Sequence, residues 1–182
     1  MLLAHRQAIP AEVRAQWNAV IGSRVLAWWN ANPMQMLGVY WPIRGEPDLR
    51  ATYANLVERG VQLALPIVTD KDAPLRFVRW HPDAAMTKDA YGVMVPQDVS
   101  NAVQPDALLI PCVGFNTANI RLGYGGGFYD RTLAVSPRPL TAGIAYSCCR
   151  GEFSGDAHDI ALNVVITEEP SLELGDGEGE EL

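Results

Sequence analysis

Apolar residues first recur at helical spacing between Pro10 and Asn32, where Val13, Trp17, Val20, Ile21 and Trp28 mark one face. Pro10 suits a first helical position and Glu12 lies in the first turn, so a helix is expected there, packed on a sheet. Arg24 falls inside the apolar stripe; either the helix rotates or the guanidinium reaches out past its stem. Met36 to Trp41 is a short apolar run that ends at Pro42 and predicts a buried strand. From Asp48 to Arg59 the pattern is helical again, with Leu49, Tyr53, Leu56 and Val57 inward, Asp48 as cap and Gly60 as terminator. Val61 to Val68 is then a second strand.

Strand, helix and strand at this spacing form a βαβ unit, which predicts a right-handed crossover and a parallel sheet buried on both faces. Leu75 to Trp80 reads as another strand, and His81 to Pro105 as an irregular, proline-bearing stretch. Ala107 to Val113 is a continuous apolar run and the most core-like strand. A helix over Phe128 to Ala134 and strands over Ala142 to Ser147 and Asn163 to Thr167 complete the pattern. The expectation is one α/β domain over residues 1–169, three-layered and Rossmann-like with a mostly parallel sheet.

Charge modifies this picture at one end. Seven of the 21 acidic residues fall in the last fifteen positions, where no Lys or Arg occurs, which leaves 14 acids against 14 bases in the body. The net charge of -7 thus argues against a general affinity for nucleic acid while leaving the body near neutral. Residues 170–182 read as an acidic, disordered tail. No run approaches the roughly 18 to 20 apolar residues of a membrane span, and the N-terminus does not resemble a signal peptide, so a cytoplasmic protein is expected. One small domain without heptads is compatible with a monomer. Cys112, Cys148 and Cys149 form neither a disulfide framework nor a CxxC pair and are expected to be buried small hydrophobes.

The segment Arg121-Leu122-Gly123-Tyr124-Gly125-Gly126-Gly127-Phe128-Tyr129-Asp130-Arg131 carries the chemistry. Three consecutive glycines make sense where the backbone takes positive φ or a ligand comes close. A glycine loop between a buried strand and a helix offers free N–H groups to an anion, most often phosphate. It is neither a Walker A loop nor a GxGxxG fingerprint in its usual setting. Arg121 and Arg131 can neutralise phosphate oxygens, and Asp130 could hold a bridging Mg²⁺. The alternative is a tight structural turn.

This segment, with Leu109-Ile110-Pro111-Cys112-Val113-Gly114-Phe115 before it, resembles the signature of the 5-formyltetrahydrofolate cyclo-ligase family, also called 5,10-methenyltetrahydrofolate synthetases. Weaker matches are His5-Arg6, Tyr40 with Glu46, Leu65-Pro66, Trp80, Tyr91-Gly92-Val93, His158-Asp159 and Val165-Ile166-Thr167. The resemblance implies an ATP- and Mg²⁺-dependent closure of 5-formyltetrahydrofolate to 5,10-methenyltetrahydrofolate, with release of ADP and phosphate and no protein nucleophile. It implies ATP contacts from Arg6 and from Arg121 and Gly123 to Tyr129, with Arg121, Tyr129 and Arg131 in the catalytic set. Glu46, Trp80 and Tyr124 to Phe128 would bind the folate; Asp130 and Asp159 would hold Mg²⁺.

For several of these a plainer reading stays open. Arg121 equally reads as a structural clamp, Tyr129 and Trp80 as core aromatics, and Asp159 as a turn residue. The sequence departs from the family pattern at Asn116, where Asp is usual, and at Asn119, where Gly is usual; Asn tolerates the left-handed conformation. The basic N-terminal segment of family members has no counterpart before Arg6. A diverged member that binds folate or nucleotide with little turnover is therefore the alternative expectation.

Overall fold

The computed structural model describes residues 1–170, which form four helices and eleven strands: α1 (Leu2–Gln7), α2 (Ala11–Ala31), β1 (Met36–Gly38), α3 (Arg50–Glu58), β2 (Gln62–Ile67), β3 (Arg76–Trp80), β4 (Met86–Lys88), β5 (Met94–Pro96), β6 (Ala102–Val103), β7 (Ala107–Pro111), β8 (Gly114–Phe115), β9 (Arg121–Leu122), α4 (Phe128–Leu133), β10 (Leu140–Ile144) and β11 (Val164–Ile166). From residue 171 on, the acidic segment lies outside the described residues. The central sheet runs β11-β10-β7-β1-β2-β3-β6. Its first five strands are parallel; at the far edge β3 runs antiparallel to β2, and β6 antiparallel to β3. The protein is thus a single α/β domain around a mostly parallel sheet. No helix among the described residues is long and apolar enough to cross a membrane.

Strand alternation builds two cores from one sheet. Leu63, Leu65 and Leu109 face one side and join Ile21 and Val25 of α2 and Tyr53 and Leu56 of α3. Ala64, Leu108 and Ile110 face the other and join Leu133 of α4 with Phe115 and Leu162. This is why β7 reads as an unbroken apolar run: all five of its residues are buried. The sheet is tightest at Gly38, where a Cβ would meet Leu108 Cδ2 at 2.4 Å and Phe77 Cε1 at 2.9 Å.

Four expectations are corrected. His81 to Pro105 is not irregular throughout, because it holds the β4–β5 hairpin and edge strand β6. Asp89 organises the hairpin turn: its Oδ1 accepts the Tyr91 and Val93 N–H groups, and Gly92 takes φ +77. Asp48 does not cap α3 at its N-cap position, which is Leu49; instead its carboxylate accepts the Arg50 N–H and pairs with the Arg50 guanidinium at 2.7 Å. On α2 the buried residues are Ile21, Gly22 and Val25, whereas Val20 is exposed. Cys112 and Cys149 are buried but Cys148 is exposed. The position of Arg24 is resolved by extension: its guanidinium donates to the Glu169 carbonyl.

Candidate functional site

The segments bearing the candidate residues gather at the carboxyl ends of the parallel strands, where open α/β sheets place their ligands. Glu46 follows β1, Lys71 to Ala73 follow β2, and the glycine loop follows β7 by way of the β8–β9 hairpin. Between β8 and β9, Asn116 makes the turn. Its Oδ1 accepts the N–H groups of Ala118 and Ile120 at 3.0 Å each, and its Nδ2 donates to the Phe153 carbonyl at 3.0 Å. Asn119 takes φ +59, as expected of an Asn in a glycine's place. The Asn116 amide therefore joins the β8–β9 turn to the segment that leads to Asp159.

In the glycine loop, Gly125 has φ +94 and Gly127, at the N-cap of α4, has φ +67. Both lie in the region that disfavours side chains, which accounts for glycine there. Arg121 donates from Nη2 to the Pro111 carbonyl at 3.0 Å and lies 4.9 Å over the Tyr129 ring. Its Nε is buried without a partner among the described residues. Arg131 commits Nε to the Ala73 carbonyl at 3.1 Å and Nη2 to the Lys71 carbonyl at 2.9 Å, and packs over Phe128. It thereby ties α4 to the loop after β2. Burial pushes the Tyr129 hydroxyl well above its ordinary pKa, so it stays protonated.

Arg6 is fully buried on α1, a six-residue helix whose last carbonyls, of Arg6 and Gln7, accept from Arg14 Nη2. Its guanidinium donates to the Arg44 carbonyl through Nε and Nη2 (3.2 and 3.0 Å), to the Cys112 carbonyl (3.4 Å) and to the Tyr124 hydroxyl (2.6 Å). Arg44 presents that carbonyl from φ +49, with Gly45 beside it at φ +79. The Arg44 guanidinium lies 4.8 Å over the Tyr124 ring. The same turn buries Glu46, whose Oε1 accepts the Ile43 N–H at 2.9 Å and whose Oε2 accepts the Tyr124 hydroxyl at 3.3 Å. Burial pushes the Glu46 carboxyl up to about 7; the Ile43 N–H, the Arg6 charge, the Tyr124 hydroxyl and the Arg121 charge oppose it.

Asp130 lies on α4, half-buried, and burial raises its carboxyl above the ordinary range. The Arg121 charge opposes this rise, and the Asp159 charge adds to it. Asp159 closes a turn by accepting the Asp156 N–H at 2.6 Å. Among the described residues no cluster of three His, Cys, Asp or Glu side chains could hold a metal. A pair of carboxylates suits Mg²⁺, which keeps waters and phosphate oxygens as its other ligands.

The structure thus brings Arg6, Glu46, Arg121, Tyr124, Tyr129 and Asp130 into one charged neighbourhood. Behind Tyr53, whose ionisation Glu46 opposes, stands Trp80. That ring is buried on β3, edge-on to Trp41 and Tyr53, and borders a cavity of about 560 Å³ lined also by Val57, Leu63, His81 and Pro96. The cavity opens near the start of β2, away from the glycine loop. Burial raises the Cys112 thiol and pushes Cys149 up to about 12, so neither is an activated nucleophile. The sequence pattern does not mark Arg14, Arg44 or Asn116 for these roles; the Arg44-Gly45 dipeptide just before Glu46, which folds with positive φ at both residues, is the available signal.

The model of the 5-formyltetrahydrofolate cyclo-ligase family matches residues 1–168. The chain is 27% identical to the 5-formyltetrahydrofolate cyclo-ligase of Escherichia coli over 175 residues, covering 92% of this chain and 96% of that one. It is 48% identical to the enzyme of that name from Mycoplasma pneumoniae over 67 residues, 36% of this chain and 41% of the relative. Among solved structures, the 5,10-methenyltetrahydrofolate synthetase of Aquifex aeolicus superposes with a TM-score of 0.80 at 29% identity, covering 100% of this chain and 93% of its own. That of Mycoplasma pneumoniae gives 0.77 at 26% identity, covering 92% and 94%.

Proposed function

The chain belongs to the 5-formyltetrahydrofolate cyclo-ligase family, and from that premise we propose that it is a cytoplasmic, monomeric enzyme that uses ATP and Mg²⁺ to convert 5-formyltetrahydrofolate to 5,10-methenyltetrahydrofolate, ADP and phosphate. The observation that carries the detailed reading is that the glycine loop joins two differently built halves. On one side are free loop N–H groups and arginines, suited to phosphates. On the other is Glu46, a buried carboxylate suited to the N–H donors of a pterin.

A formamide oxygen is a poor leaving group. In the reaction it takes the γ-phosphoryl group of ATP, N10 of the folate then bonds to the activated formyl carbon, the N10 proton is lost, and the C–O bond breaks to release phosphate. Such transfers depend on positioning and charge neutralisation. Gly123 to Gly127 supply backbone donors along the nucleotide phosphates. Arg121, whose Nε has no partner among the described residues, and Arg6 supply positive charge. Arg131 holds α4 against the loop after β2, with its Nη1 left lying against Gly127. Asp130 and Asp159 would hold the Mg²⁺, which supplies neutralisation of phosphate charge. Tyr129, neutral at all working pH values, lines the floor beneath Arg121.

The test is incubation with 5-formyltetrahydrofolate, ATP and Mg²⁺ while following the absorbance of the methenyl product. Product formation that requires all three components is expected. Folate binding without product, in the presence of ATP and Mg²⁺, overturns the reading in favour of a binding protein.

A further inference from the structure

Tyr124 is 41% exposed, yet its hydroxyl is turned inward to two buried groups. The direction of this chain of hydrogen bonds follows from elementary chemistry. A guanidinium has only donors, so the 2.6 Å contact with Arg6 Nη2 uses the hydroxyl as acceptor. The single phenolic proton is left to point at Glu46 Oε2. With Oε1 held by the Ile43 N–H, both oxygens of the carboxylate are placed, one by local backbone and one by a residue 78 positions away. The three partners come from three separate parts of the chain: α1, the turn after β1 and the glycine loop.

We propose that Tyr124 is a positioning residue that relays Arg6 to Glu46 and holds the Glu46 carboxylate in the orientation that receives the pterin. This rests on the folate-binding role given to Glu46 above. Because Tyr124 belongs to the loop assigned to the nucleotide phosphates, the relay also makes the geometry of the folate half depend on that loop. The ring itself is kept in place by the Arg44 and Arg6 guanidinium groups, 4.8 and 5.9 Å from its centroid, so the hydroxyl can be removed without removing the packing.

The groups that face Glu46 set the expected sign. Arg6 on α1, Arg121 on β9, the Ile43 N–H and the Tyr124 hydroxyl favour its ionised form. Tyr40 after β1, Tyr53 on α3, Tyr129 on α4 and Cys112 after β7 are neutral neighbours whose own ionisation Glu46 opposes. A pterin that donates to Glu46 needs the carboxylate, so affinity falls as pH drops through the Glu46 titration. Loss of the Tyr124 donor moves that fall to higher pH.

The experiment is equilibrium binding of 5-formyltetrahydrofolate to the full chain, without nucleotide, from about pH 6 to about pH 9. Tyr124→Phe is expected to weaken binding about tenfold near neutrality and to raise the midpoint of the pH profile by roughly half a pH unit or more, with its melting temperature retained. Arg6→Lys, which keeps the charge but loses the fork, is expected to raise the midpoint in the parent chain and to add little in the Tyr124→Phe background. Uniform weakening at every pH would make Tyr124 a packing residue and overturn the proposal. Additive midpoint shifts in the double variant would also overturn it, since Arg6 would then act on Glu46 directly. If the unmodified chain binds no folate, the functional reading falls first, and that result is seen before any variant is made.

Discussion

The guanidinium of Arg6, on the N-terminal helix, and the hydroxyl of Tyr124, in the glycine loop, meet at 2.6 Å across 118 residues of sequence. Arg6 is among the largest fully buried side chains of the described residues, and every acceptor it serves lies at the site: the Arg44 and Cys112 carbonyls and Tyr124. Arg6→Ala would leave these acceptors unpartnered and a cavity beneath α1. A loss of about 3 kcal/mol in unfolding free energy is expected, read as a lower urea midpoint at unchanged slope. A loss within about 0.5 kcal/mol would show that Arg6 serves only the ligand.

Glu46 titrates on the other side of Tyr124, and its burial has a cost that depends on pH. The folded carboxyl sits at about 7 against an ordinary 4.5, so the folded state holds the proton more tightly than the unfolded chain. The sign follows from linkage: the stabilising contribution is complete below the unfolded value and is lost as pH rises through the folded one. Glu46→Gln removes the dependence. The variant is expected to match the parent near pH 4 and to exceed its stability by up to about 3 kcal/mol near pH 8, while folate binding is lost. Equal stability changes at both pH values in thermal melts would contradict this assignment of the burial cost.

Much of this site could be read before the fold was known, and the reasons are local. The β7 run, the glycine triplet and the βαβ spacing are patterns within a few residues, and the parallel sheet and left-handed glycines answer to them. The complete burial of Arg6 has no local signal, because α1 is too short to show a period and is capped by Arg14 from the next helix. Arg44 and Asn116 act through contacts with Tyr124 and Phe153, far along the chain. The β4–β5 hairpin leaves little trace in the sequence because its strands have three residues each, and its turn depends on Asp89 and Gly92 rather than on an Asn-Gly pair.

The Asn116 amide gives a prediction for a carboxylate placed at this position. Its Oδ1 accepts two N–H groups, which a carboxylate would do as well, but Nδ2 donates to the Phe153 carbonyl. Asn116→Asp would set an acceptor against an acceptor. A loss of about 1 kcal/mol is expected, with faster amide exchange confined to the segment around Phe153. Unchanged exchange there would mean that Phe153 is held by other contacts.

Asp130 is where folding and function should separate most clearly. Its half-buried carboxylate accepts no hydrogen bond from another described residue, and burial together with the Asp159 charge raises its pKa, so the fold itself gains nothing from its ionised form. The Arg121 and Arg131 charges offset part of that cost. A metal ion between the two carboxylates would reverse the balance, since a cation favours the ionised form of both. Asp130→Asn keeps the shape and removes the charge. Turnover is therefore expected to fall by about a hundredfold or more, with a higher Mg²⁺ concentration needed for half-maximal rate, while the thermal midpoint stays level or rises. The same proton competition predicts that the parent needs more Mg²⁺ as pH falls, and that the variant loses much of this dependence. Parallel losses of turnover and melting temperature in Asp130→Asn would make the residue structural and leave the metal to be held elsewhere.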